Sequence, residues 1–412
     1  MSAPLVNVSL DAIQIGQPLP FALKGSDGQL LAQKGFVIRS RSDLEELAGK
    51  GFAFFIDVAE SEAYQRAYKN KLHSLLRKDK TLGQIADVQI TPTDLQTDSV
   101  EIDQGPPDWL ELQIQANALL RDCQSPNFLK RLDWLYRQLD QYTQHNPDGA
   151  LFALFHLSSS RPQLYSATHA MLVSVMGVLA ARDVLNWTPA QVKLLSLAAL
   201  TMNLSMVELQ DRLAMQMDAP APAQRRQIDS HAQRSVELLE KLGVSDPAWL
   251  EAVADHHSAP GGRLADKTVG QRMARLIQRA DTFAARLAPR ASREASSQAS
   301  AMQASYFDEN KAVDEAGAAL IKAVGIYSPG AYVKLCTHEI AVVMRRGSNT
   351  STPRVAVVLN REGLATVEPT IRDTSQREYR IVGGVAHKEV KVQLNLQRML
   401  ALTAAPASDR IW

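Results

Sequence analysis

Four histidines and one aspartate in the middle of the chain have residue types and positions suited to chemistry. His169 lies in the apolar segment YSATHAMLVSVMGVLAA, and His231 lies near the start of SHAQRSVELL. His256 and His257 end the segment WLEAVADHH, and Asp281 lies on an otherwise apolar row of RMARLIQRADTFAARL. These segments have helical periodicity, so the five side chains are expected on different helices of one bundle.

Imidazoles and a carboxylate on facing helices are the ligands that a divalent metal ion requires in a helical core. A buried Asp281 without a partner would be costly, so this carboxylate should meet a cation or a hydrogen-bond donor. For any single histidine, the alternative is a core residue whose ring nitrogens are satisfied by hydrogen bonds. Taken together, the five residues predict a metal site.

The segments that carry these residues belong to a predicted helical region over residues 108–328. Apolar residues recur there at i, i+3 and i+4, the spacing of helices that bury one face. After this region the segments YVKLC, IAVVM and RVAVVL predict short strands, and a final helix is predicted near residues 391–402. We therefore predict a mostly α protein whose residues 329–412 form a C-terminal β segment and a terminal helix.

Residues 1–80 are predicted to form a small β-rich domain with a trailing helix. The segments PFALK and LLA flank a DG dipeptide typical of hairpin turns, and FAFFIDV supplies another strand. A short helix is indicated by Ser42 and Glu45, which have the spacing of a capping box. Residues 59–80 indicate an exposed basic helix, and residues 81–107 are polar and acidic, as is typical of a linker.

Charge and cysteine content narrow the class of protein. The chain has 412 residues, enough for two or three domains, and its 45 basic and 44 acidic residues give a net charge of +1. Neither nucleic acid nor an anionic membrane is therefore expected as a partner. Two distant cysteines and the lack of a signal-peptide pattern predict a cytoplasmic protein. The longest apolar stretch, residues 171–181, is about half of a membrane span, so no transmembrane segment is predicted.

Several segments, in this order, resemble landmarks of the HD-GYP branch of the HD phosphohydrolases. They are YSATHA, AALTMNLSM, SHAQRSVELL, the HH pair, RADTFAARL and GIYSPGAYVKL. The likeness covers about residues 150–383, and PFALKGSDGQLLAQKGF resembles the domain that often precedes HD-GYP units. The family consists of helical proteins that hold two or three iron or manganese ions and hydrolyse the second messenger cyclic di-GMP. The resemblance implies an HD-type helical bundle and a role in second-messenger signalling.

The resemblance also implies roles for the five candidate residues. His231, His256 and His257 match the ligands of one family metal. His169 and Asp281 match ligands of the other. The family mechanism needs a hydroxide that bridges two cations about 3.5 to 4 Å apart, which lower its pKa.

The residues that give the family its name are missing from this chain. Where the family has a His-Asp pair, a Gly and a Lys, this sequence has Met202, Asn203, Ser205 and Met206. A thioether and a neutral amide cannot replace an imidazole and a bridging carboxylate around hard divalent ions. Met202 and Met206 are instead expected to share a helical face and to fill the vacated space. Further departures are Ser258 for an acidic residue, Ala284 for a second Asp, and APGGRL for the Gly-Tyr-Pro loop.

These departures predict a degenerate HD-GYP signalling protein without catalytic residues or phosphodiesterase activity. Its pocket is expected to bind cyclic di-GMP, a single divalent ion (iron, manganese or zinc) or nothing, while its surface engages a protein partner. One alternative is an active metal-dependent phosphodiesterase that uses one ion on the remaining ligands. Another is an interaction scaffold in which the N-terminal β unit and the basic helix do the binding and the histidines are relics.

Overall fold

The computed structural model divides the chain into two compact units, Met1–Glu101 and Ile102–Trp412, and we describe each by itself. In the second unit it describes residues 107–291 and 297–404. In the first unit it describes residues 5–8, 16, 19, 21–25, 29–33, 35–40, 43 and 54–57. The predicted basic helix over 59–80, and nearly all of the linker and of the helix marked by Ser42, lie outside these residues.

The described part of the first unit is a four-stranded antiparallel sheet. Its strands are β1 (Leu5–Val8), β2 (Leu23–Lys24), β3 (Leu30–Ala32) and β4 (Phe54–Asp57), in the order β1-β4-β2-β3. Strands β2 and β3 pair as the predicted hairpin, and β4 is the strand predicted in FAFFIDV. The strand predictions for this region are therefore confirmed.

Helices make up most of the second unit, which confirms the predicted mostly α fold. Central to it is α4, in which every residue from Tyr165 to Ala181 is buried, because a helix that is apolar on all sides is stable only inside a core. The helices are α1 (Trp109–Arg121), α2 (Phe128–His145), α3 (Pro147–Ser160), α4 (Tyr165–Asp183), α5 (Pro189–Thr201), α6 (Val207–Met215), α7 (Pro222–Lys241), α8 (Pro247–Ala254), α9 (Val269–Leu287), α10 (Gln298–Tyr306), α11 (Glu315–Val324) and α12 (Leu396–Thr403).

Caps and one close approach fix the two helices on either side of the histidine pair. The Asp246 carboxylate accepts from two backbone N–H groups at the start of α8, and Thr268 with Gln271 forms a capping box at the start of α9. A Cβ at Gly270 would lie 2.3 Å from the Glu251 carboxylate, so glycine lets α9 approach α8 this closely. These contacts set where α8 ends relative to α9.

After the helices the chain forms the predicted C-terminal strands. They are β5 (Tyr332–Leu335), β6 (Ile340–Arg345), β7 (Arg354–Leu359), β8 (Ala365–Asp373) and β9 (Ile381–Val385), in the order β8-β7-β6-β5-β9 with antiparallel pairing. One face of this sheet packs on Phe152 of α3 and Met399 of α12. Helix α12 begins later than predicted because the Asn395 side chain caps it by accepting from the Arg398 N–H.

Two helical stretches, residues 162–183 and 189–215, are long and apolar enough to cross a membrane by length and composition alone. Within the protein, 94% and 72% of their apolar windows are buried. Both contribute to the main hydrophobic core of the second unit, where other helices cover them. Core helices pass the same test of length and composition, so the two stretches are accounted for by packing.

Candidate metal centre

His231 lies on the buried face of α7. That face carries His231, Ser235 and Leu239 at four-residue spacing, whereas most of the first two turns of the helix are exposed to solvent. The Nδ1 atom of His231 contacts the backbone oxygen of Ile228, which can only accept a hydrogen bond. Nδ1 therefore carries the proton, and the Nε2 of the neutral ring has a free lone pair.

His256 and His257 lie in the turn that follows α8. His256 is completely buried, and its Nδ1 lies 2.7 Å from the backbone oxygen of Val253, so its tautomer is the same as that of His231. His257 is exposed at the same turn. The backbone N–H groups of Ser258 and Ala259 both donate to the Asp255 oxygen, which closes the turn.

The three imidazoles converge through their Nε2 atoms. The Nε2 of His231 lies 3.1 Å from that of His256 and 3.2 Å from that of His257. Because His231 and His256 both have Nδ1–H tautomers, two Nε2 lone pairs face each other at 3.1 Å. This arrangement is repulsive unless a proton or a cation lies between the nitrogens.

Burial keeps His231 and His256 neutral. Desolvation, with the neighbouring His257 as a lesser cause, lowers the pKa of His256 from 6.5 to about 3. Desolvation also lowers the pKa of His231, although its hydrogen bond to Ile228 opposes the shift. Neutral rings are the form that coordinates a metal ion, so no proton has to be displaced at neutral pH.

The donor set fits a divalent metal ion. In the part of the chain that the structure describes, the three histidines offer ligand atoms within 4.8 Å of one another. Bonds of about 2.0 to 2.1 Å to a tetrahedral ion would place nitrogen ligands about 3.3 to 3.4 Å apart, close to the observed spacing. The Nδ1 hydrogen bonds to backbone oxygens are the contacts that usually orient histidine ligands. Three imidazoles suit zinc and iron, and the exposed side at His257 leaves room for a further ligand.

His169 and Asp281 form a separate contact. The Nε2 of His169, which is 2% exposed, lies 2.6 Å from the Oδ1 of Asp281. The partner predicted for Asp281 is thus a histidine, which satisfies the carboxylate without a metal ion. Burial raises the pKa of Asp281, but the His169 hydrogen bond and the electrostatic interactions with His169, His257 and His256 together outweigh it and hold the pKa well below its usual range. Because His256 and His257 contribute to this shift, the pair lies within electrostatic reach of the histidine cluster.

The segment from Met202 to Met206 differs from its prediction. Helix α5 ends at Thr201, and Leu204–Met206 is a short 3-10 turn, so the expected shared helical face of the two methionines is wrong. The reason lies in Ser205, whose hydroxyl donates to the His231 oxygen and whose N–H donates to the Ser235 hydroxyl. Met202 is nevertheless fully buried in the main core, whereas Met206 is partly exposed.

A buried arginine beside the site was missed by the sequence reasoning. Arg275 is 0% exposed, and its guanidinium donates to the Asp314 carboxylate, to the Ala259 oxygen and to the Gln278 side chain. The Nε2 of Gln278 in turn donates to the His257 oxygen at 2.7 Å. The neighbours of Arg275 at three- and four-residue spacing on α9 are polar, namely Gln271, Arg272, Gln278 and Arg279, so the local pattern carried no signal of its burial.

No protein-family model and no curated protein matches this sequence. Among solved structures, an HDG"Y"P protein from Bdellovibrio bacteriovorus is similar, with 15% sequence identity and a TM-score of 0.42. The similarity covers 77% of this chain and 98% of that protein.

Proposed function

We propose that the second unit is a degenerate HD-GYP-type signalling module that binds one divalent metal ion and does not hydrolyse cyclic di-GMP. The observation that carries the proposal is the convergence of three Nε2 atoms, two of them 3.1 Å apart with their lone pairs facing. A cation between the two nitrogens would relieve the repulsion. An ion held there would act as a Lewis acid toward an oxygen of a bound ligand, with His257 on the accessible side.

The remaining candidate ligands do not provide a second ion site. His169 and Asp281 satisfy each other at 2.6 Å, and the positions of the family His-Asp pair hold Met202 and Asn203. A hydroxide that bridges two cations requires a carboxylate that joins them, and neither a thioether nor an amide does so. We therefore expect occupancy by one ion and no activated bridging water.

Metal content tests the first half of the proposal. Protein purified anaerobically and loaded with iron, manganese or zinc should hold about one equivalent of one of these ions, as tight sites do. His256→Ala should lose the ion, while the control His145→Ala, at the exposed end of α2, should keep it. Less than about 0.2 equivalents in the wild-type protein would contradict the proposal.

Turnover tests the second half. With saturating manganese or ferrous iron, we expect cyclic di-GMP to remain intact. A rate above about 0.01 per second, well below usual catalytic rates, would contradict the absence of activity. Calorimetric titration with cyclic di-GMP, with and without manganese, then tests whether the module is a receptor: binding without turnover is expected if the pocket responds to the nucleotide.

A single-metal phosphodiesterase is the second candidate function. It is favoured by the exposure of His257, which leaves one side of the histidine cluster open to solvent and to substrate. This candidate predicts turnover that depends on metal and is lost in His256→Ala. Metal binding together with intact cyclic di-GMP would argue against it and for the non-catalytic module.

A further inference from the structure

The charged side chain of Arg275 is completely buried within the second unit, so a role at the protein surface does not account for it. Its charge is balanced by Asp314, which is also buried, and by Glu309, with Nη2 distances of 2.6 and 3.0 Å. A buried guanidinium is tolerated only when its donors are matched by such partners. Burial of this charge is therefore stable only when each of its hydrogen bonds has good geometry.

The contacts of Arg275 reach the turn that carries the histidine pair. One guanidinium nitrogen, Nη1, lies 2.7 Å from the Ala259 oxygen and 2.7 Å from the Gln278 Oε1. The other end of the Gln278 amide donates to the His257 oxygen at 2.7 Å. The backbone from His257 to Ala259 is thus hydrogen-bonded at both ends by one network.

The orientation of the Gln278 amide is determined by these neighbours. Arg275 has only donors, so Oε1 must face it, and the His257 oxygen only accepts, so Nε2 must face the turn. The network extends to Asp314, whose second oxygen accepts from the Gly317 N–H and caps α11. Gln278 therefore links the charged pair of Arg275 and Asp314, which is anchored on α9 and α11, to a turn that lies outside any helix.

We propose that Gln278 is the positioning residue of the metal centre. Resting on the proposed function, this inference assigns to Gln278 the task of holding the His257 backbone so that its Nε2 stays close to that of His231. His257 is exposed and follows the end of α8, so local fluctuation of the turn would move its ring away from the other two ligands. Contacts that orient metal ligands typically change affinity by about 10- to 100-fold when removed.

The test is titration of the metal-free protein with Co²⁺, followed by its visible absorption. In Gln278→Met both hydrogen bonds are lost at similar side-chain size. Gln278→Glu keeps an acceptor for Arg275 but has no donor for His257. We expect both variants to bind Co²⁺ at least about tenfold more weakly than wild type, with an altered spectrum. The matched control Gln233→Met, at an exposed position of α7, should bind as wild type does.

Three outcomes separate the possible failures. Unchanged Co²⁺ affinity and spectrum in both Gln278 variants would overturn the positioning role while leaving the metal site in place. A loss confined to Gln278→Met would also overturn it, because the Arg275 contact alone would then account for the effect. No Co²⁺ binding by the wild-type protein would instead overturn the proposed function. Melting temperatures in excess chelator, expected to change little in Gln278→Glu, exclude a general loss of folding as the cause.

Discussion

Two histidine-containing clusters among the described residues of the second unit use similar residues but differ in how their nitrogen lone pairs are matched. In the first, the Nε2 lone pairs of His231 and His256 face each other, and the Nε2 of His257 lies 3.2 Å from that of His231. In the second, His169 and Asp281 are matched as donor and acceptor at 2.6 Å. A histidine is therefore a candidate ligand when its free lone pair lacks a protein donor, and not merely because it is buried.

The largest difference in metal affinity is expected between two variants that each remove a histidine, one from each cluster. His231→Ala should weaken zinc or cobalt binding by more than about 100-fold, because a lost ligand costs more than a lost orienting contact. His169→Ala should leave the affinity within about threefold, since Asp281 and not a metal is its partner. Calorimetry on both variants measures this. Equal losses would mean that the two clusters are parts of one metal site.

The pH dependence of stability should differ between the clusters. The pKa of His256 is lowered from 6.5 to about 3, so the unfolded state binds more protons between these values. The free energy of unfolding of the metal-free protein should therefore have its full value above about pH 6.5. Below that pH it should fall, with this group contributing at most about 1.4 kcal/mol per pH unit. Urea unfolding at pH 7 and 5 measures it, and His256→Gln should flatten the dependence. An unchanged slope would contradict the assignment.

Asp281 should act in a lower pH window. Its pKa is lowered relative to 3.8, so its stabilising effect is present above that value and is lost as the pH falls below it. At neutral pH, Asp281→Ala should reduce the free energy of unfolding by about 2 kcal/mol, because it removes a charge-assisted hydrogen bond from a buried ring. Urea unfolding in chelator tests this. A loss of metal affinity as large as that in His231→Ala would show that Asp281 is a ligand after all.

The smallest effect is expected at Tyr165, which lies beside the matched pair. Its ring stacks on His169, and its hydroxyl accepts from Arg290 at 2.8 Å. Tyr165→Phe keeps the stacking and removes the hydroxyl, so stability should fall by about 1 kcal/mol with no change in metal affinity. Thermal unfolding and calorimetry give the two numbers. A tenfold change in metal affinity would contradict this prediction and show that the two clusters are energetically coupled.

The sequence predicted the elements of the second unit well where periodicity was strong. Helix α4 and the strands β5 to β7 lie where apolar spacing placed them, because burial of a continuous apolar surface leaves one arrangement open to each segment. The predicted helix that included Met202 extended too far, since α5 ends at Thr201. Local hydrogen bonds from Ser205 to α7 end it, and such contacts with a distant helix have no signature in nearby residues.

For the candidate site, residue type and helical placement selected the five residues, whereas their grouping into His231, His256 and His257 on one side and His169 with Asp281 on the other came only from the family resemblance. Each residue had to meet a partner, since a buried carboxylate or imidazole is costly alone. Which partner it meets depends on where the helices cross. Tertiary packing joins His169 to Asp281, brings the Nε2 atoms of the other three histidines together, and places Arg275 and Gln278 behind the His257 turn. Hydrogen-bond matching requires positions within a few tenths of an ångström, and only the packed core determines those.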